Sequence, residues 1–145
     1  MKKVITIFFI LLLIACNKKV NPSDITKING YWEIEKVILP DGTEKKYTIN
    51  ETFDYFKVNN NKGFRKKVTP QLDGTFLVND DSEKVEIKEV GGIYFINYST
   101  SFSKWKEKIL TIDDDKLVTI NDAKNEYHYK KASSINILPN GKTNK

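Results

Sequence analysis

The chain has 145 residues, 39% hydrophobic and 30% charged, which is enough for one domain around one core. Its formal charge of +5 is spread along the sequence, a solubility feature and not the clustered footprint of a nucleic-acid-binding protein. The single cysteine, Cys16, excludes a disulfide within one chain, although small exported domains often depend on them.

The first fifteen residues read as an export signal. Met1-Lys2-Lys3 is basic, and Val4 to Ile14 is apolar apart from Thr6. That run is too short for the roughly 20 residues of a membrane-spanning helix. A basic end, a short apolar core and a small final residue are the three zones of a secretory signal. The stretch closes with Leu13-Ile14-Ala15-Cys16, which resembles the lipobox of bacterial lipoproteins. The resemblance implies that the Cys16 sulfur receives a diacylglycerol, that the peptide is cut just before it, and that the freed amine is acylated. Two or more acyl chains anchor stably where one does not, so a membrane is the expected partner of Cys16. Losing Lys2 and Lys3 with the signal leaves a formal charge of +3. Residue 17 is Asn, not the Asp that resembles an inner-membrane retention signal in enterobacteria. The acidic cluster resembling a surface-export signal in Bacteroidetes is also missing. Together these lean towards the outer membrane and its periplasmic face.

Residues 16–26 form the lipidated start and a polar tether containing Pro22. Ser23 and Asp24 ahead of Ile25 and Ile28 suit one capped helical turn. Strand then follows strand. Tyr31–Leu39 alternates, with Trp32, Ile34 and Ile38 on one face and Glu33 and Glu35 on the other. Pro40-Asp41-Gly42 has the chemistry of a chain reversal. Further extended runs are Lys45–Ile49, Thr52–Val58, Phe64–Thr69, Thr75–Asn79, Lys84–Val90, Ile93–Ser99, Lys104–Ile112, Lys116–Asn121 and Glu126–Lys131. Turn signals such as Gly91-Gly92 and Asp113-Asp114-Asp115 separate them. This spacing predicts an all-β domain over 27–131, an antiparallel up-and-down meander of about 8–10 strands. Such a meander tends to close, because closure removes exposed edges. The tail, 132–145, reads as flexible, with Ile135-Asn136-Ile137-Leu138 as its one apolar patch and a short edge strand as the other reading.

Gly30-Tyr31-Trp32, opening the first strand behind a short helical turn, resembles the start of lipocalins and bacterial lipocalin-like domains. The resemblance implies a closed barrel with Trp32 packed across one end, beneath a basic side chain from the final strand. Lys130 or Lys131 would take that part, since the only arginine, Arg65, lies mid-chain. The hairpins ending in Tyr127-His128-Tyr129-Lys130 also look like the close of these domains.

No pattern demands catalysis, a metal or a cofactor. The lone His128 alternates onto the face opposite Tyr127 and Tyr129, towards solvent, and has no set of partners for zinc. Asp113-Asp114-Asp115 lacks the spaced ligands of a calcium loop. Two polar residues share a phase with apolar neighbours: Lys57 with Phe53 and Tyr55, and Glu107 with Trp105 and Ile109. If the barrel is hollow, Trp32, Ile34, Tyr55, Lys57, Phe76, Phe95, Trp105 and Glu107 would line it. An apolar cavity with a few polar groups suits a small hydrophobic or amphiphilic ligand. If it is solid, the domain becomes an interaction module that holds another envelope protein.

Overall fold

A computed structural model describes residues 19–132; the expected export signal, Cys16 and the residues from Ser133 onward lie outside the described residues. A 3-10 helix (Pro22–Ile28) precedes ten strands: β1 (Gly30–Ile38), β2 (Glu44–Lys46), β3 (Phe53–Asn59), β4 (Lys62–Pro70), β5 (Phe76–Val78), β6 (Glu83–Val90), β7 (Ile93–Ser99), β8 (Lys104–Ile112), β9 (Lys116–Asn121) and β10 (Glu126–Lys131). Eight of them form an antiparallel ring, β1-β3-β4-β6-β7-β8-β9-β10, closed by β10 pairing with β1. The short β2 and β5 hang from β1 and β4 outside that ring. The expected closed meander is therefore the fold.

The helix plugs one end. Ile25 and Ile28 join Trp32, Phe56, Ile87, Ile96, Ile109, Ile112 and Leu117 in a continuous core. The turns at Asn60-Asn61, Gly91-Gly92 and Asp113–Asp115 lie at this closed end. The opposite end is a mouth ringed by the turns after β1, β4, β5, β7 and β9.

Two bulges adjust which residues face inward. In β1 the register shifts between Ile34 and Lys36, so beyond the bulge Val37 faces inward opposite Tyr127. This corrects the expectation that strict alternation carries Ile38 onto the face of Trp32 and Ile34. In β8 a shift between Ile109 and Thr111 lets Ile109 and Ile112, three apart, both enter the core. Gly63 in β4 serves close packing: a Cβ there would stand 1.9 Å from the Lys57 carbonyl oxygen.

Candidate functional site

The closed end is built around Trp32. Its indole Nε1 donates to the Ile28 carbonyl at 2.7 Å, tying the first strand to the helix. Lys131 is directly opposite Trp32 in the β1–β10 ladder and so shares its face. The Lys131 ammonium sits 4.2 Å from the Trp32 ring centroid and donates to the Lys27 and Asn29 carbonyls, at 2.8 Å to Lys27. A cation over an indole face with its donors satisfied by carbonyls is a stable lock. Lys130, one residue earlier, points outward to Glu33 at 3.2 Å.

Towards the mouth the interior turns polar. The Arg65 guanidinium lies 4.3 Å from the Tyr98 ring centroid and 5.9 Å from that of Phe56, and its Nε pairs with Glu83. Burial opposes its charge, but Tyr98, Glu83 and Asp54 outweigh that and raise its pKa. Asp54, only 3% exposed, has its Oδ1 2.5 Å from the Lys67 ammonium, an ion pair outside good hydrogen-bond alignment. Deeper still, Glu107 accepts from the Thr119 hydroxyl at 2.9 Å and from the Tyr98 phenol at 3.4 Å. Burial pushes the Tyr98 and Tyr129 phenols well up, so both stay neutral, and Tyr98 donates its hydrogen bond to Glu107.

Burial also raises the Glu107 carboxyl, with Arg65 and the Thr119 hydrogen bond opposing. Glu107 thus keeps its proton to higher pH in the fold than in the unfolded chain. Its contribution to stability is full below the unfolded pKa and is lost as pH rises through the raised folded value. Glu107→Gln is expected to remove that loss, raising Tm above the window while changing little on the acid side. A pH profile of Tm parallel to that of the parent would show that ionising Glu107 costs the fold nothing.

Of the eight residues expected to line a hollow, the structure places Trp32, Ile34, Trp105 and Glu107 on the inner face. Tyr55, Lys57, Phe76 and Phe95 are outside. In β3 the inward residues are Asp54, Phe56 and Val58, because Phe56 opposes Arg65 and Asp54 opposes Lys67. Tyr55 and Phe76 instead stack on Tyr31, with centroids 4.6 and 4.0 Å apart, in an aromatic cluster on the outer wall. Lys57 is exposed, and Phe95 lies on the outer wall with the Lys106 ammonium 5.3 Å from its ring centroid. His128 is outward as expected, yet half-buried, 2.6 Å from Glu126. Asp54 and Arg65 escaped the sequence reading. The signal for Arg65 was its being the sole arginine, two residues from Gly63 and Lys67 in one alternating strand.

The outer wall carries an open groove of about 820 Å³ across β4, β6, β7 and β8. Lys62, Lys84, Lys88, Lys104 and Lys106 line it, against only Glu86 and Asp122. Lys62 and Lys88 share Glu86, whereas Lys84, Lys104 and Lys106 form no ion pair among the described residues. A smaller hollow of about 400 Å³ at the mouth is lined by Arg65, Lys67, Asn79, Ser82, Glu83 and Phe102, among others. Among the described residues no group of three or more His, Cys, Asp or Glu is placed to hold a metal ion.

A family model described as a lipocalin-like domain matches residues 28–119, more than half of the chain. The chain belongs to this family. Trp32 lies inside the matched stretch of this lipocalin-like barrel, and Lys131, which covers its face, lies beyond it. Two crystal structures are similar in fold, each at 15% identity. A lipocalin-like protein from Bacteroides uniformis has a TM-score of 0.49, with 73% of this chain and 99% of that one covered. A protein described as uncharacterized, from Bacteroides eggerthii, has a TM-score of 0.47, with 72% and 98% covered. No curated protein matches this lipocalin-like chain.

Proposed function

We propose that this chain is a lipid-anchored, non-catalytic binding protein of the bacterial cell envelope, whose lysine-lined outer groove takes an acidic partner. The anchor rests on the lipobox-like Leu13-Ile14-Ala15-Cys16, and the outer membrane's periplasmic face on Asn17 and the absence of an acidic sorting cluster. The observation that carries the binding reading is the contrast between wall and interior. Inside, Arg65 is matched by Glu83 and Asp54 by Lys67, so the ionic groups neutralise one another. Outside, five lysines face two carboxylates across one groove. Like charges held at that density favour an acidic ligand by long-range attraction that salt screens.

The soluble domain from Lys19 onward is expected to be retained on an immobilised sulfated polysaccharide, a generic polyanion. Lys84→Glu/Lys106→Glu should elute at clearly lower salt than Lys45→Glu/Lys46→Glu, which makes the same change of charge elsewhere on the surface. Equal elution of the two variants would remove the groove from the reading. The mouth hollow favours a second reading, a small amphiphile seated against Arg65 and Lys67. Native mass spectrometry separates the two: a bare mass fits the filled barrel, and an added mass lost on denaturation fits the amphiphile.

A further inference from the structure

The tether meets the barrel at the β6–β7 turn. Lys19 lies against Gly92, where a Cβ would stand 2.9 Å from the lysine Cε and 3.0 Å from its Nζ. Gly91 and Gly92 have φ of 61° and 80°, the left-handed pair that a two-residue hairpin turn requires. Val90 and Ile93, which flank the turn, are the last cross-strand pair of β6 and β7. Both alternate away from the core onto the outer face and remain 64% and 38% exposed. Single exposed apolar residues are ordinary on a protein surface. Here they come as an adjacent pair at the tip of a hairpin, and the charged residues lining the neighbouring hollow are Lys19, Lys108 and Lys116 against the one carboxylate of Glu126, itself paired with His128.

Chain length supplies the independent constraint. Cys16 is three residues before Lys19, and an extended chain spans at most about 3.6 Å per residue, so at most roughly 11 Å separates the Cys16 and Lys19 Cα atoms, and the Lys19 side chain spans the remaining gap to the turn. A lipid on Cys16 therefore holds the closed end of the barrel, and this hairpin with it, near the headgroups. An apolar pair flanked by lysines matches that setting: side chains in the acyl boundary, ammonium groups on anionic headgroups. We infer that the β6–β7 turn is the membrane-contacting element, with Val90 and Ile93 entering an anionic bilayer and Lys19, Lys108 and Lys116 around them. The inference rests on the lipid-anchor reading. It adds an orientation: the barrel mouth and the 100–103 turn, which carries Phe102, point away from the membrane.

The test uses the full-length lipoprotein purified from bacterial membranes and reconstituted into phosphatidylglycerol-containing vesicles. Its intact mass is read first, since acylation occupies Cys16 and leaves an introduced thiol as the only one. Val90→Cys and, as the distal control, Phe102→Cys each receive a nitroxide, and collisions with oxygen and with a water-soluble nickel chelate are compared. The oxygen-to-nickel ratio at position 90 is expected to be several-fold above that at position 102. Equal, water-like ratios on acylated, vesicle-bound protein would overturn the orientation and leave the anchor standing. An intact mass without acyl chains would overturn the anchor reading, and this inference with it.

Discussion

Trp32→Ala is expected to cost about 3–5 kcal/mol, the range for deleting a large buried aromatic. Trp32 is fully buried, and three separate elements converge on it. The helix accepts its indole N–H through the Ile28 carbonyl, the core packs its edges, and Lys131 covers its face. Removing the ring leaves a cavity at the closed end and takes the aromatic surface from beneath the Lys131 ammonium. Urea unfolding followed by circular dichroism measures the loss. A cost under about 1 kcal/mol would mean that the closed end collapses onto the gap without strain. Trp32→Phe is expected to fall between, because it keeps a ring under Lys131 but gives up the hydrogen bond to Ile28.

Arg65→Ala should be comparably damaging, about 3–5 kcal/mol, for a different reason. Breaking one side of a buried ion pair strands the other. Without the guanidinium, Glu83 loses its partner, the Tyr98 and Phe56 rings lose the plate stacked on them, and the nearby Asp54 and Glu107 lose a compensating charge. Arg65→Met/Glu83→Leu is expected to cost less than Arg65→Ala alone, since it replaces both charges with apolar volume. Arg65→Lys should not rescue, because a compact ammonium cannot stack as a planar guanidinium does. Denaturant midpoints of the three variants order these effects. If the double variant is the worst of them, stacking and not charge pairing holds this site.

The strands themselves were legible because most of the walls separate a dry face from a wet one. Val85 and Ile87 against Glu86 and Lys88 place β6 correctly, and the Gly91-Gly92 turn fixes its partner. β3 was not legible in phase. Its run Phe53-Asp54-Tyr55-Phe56-Lys57-Val58 has no period of two, because aromatic side chains sit on both faces. The outer ones are covered by Tyr31 and Phe76, a contact between segments far apart in sequence. The choice of Lys131 over Lys130 was open for a similar reason, since only the β1–β10 register decides which lysine shares the face of Trp32. The lysine groove was written in the alternation of Lys84, Glu86 and Lys88 with Lys104 and Lys106, but what brings those two runs onto one wall is the intervening β7.

The ring is sealed by its first and last strands, with Trp32 meeting Lys131 across almost the whole length of the domain. Every other seam of the ring joins strands near one another in the chain, so hairpin after hairpin forms early and at little loss of entropy. The seal cannot form until the final strand has been synthesised, and until then β1 offers an open edge to any neighbouring chain. Topology of this kind makes closure the slow event of folding. A helper protein that shields β1 until Lys131 emerges would therefore protect this barrel more than one that assists any of its hairpins.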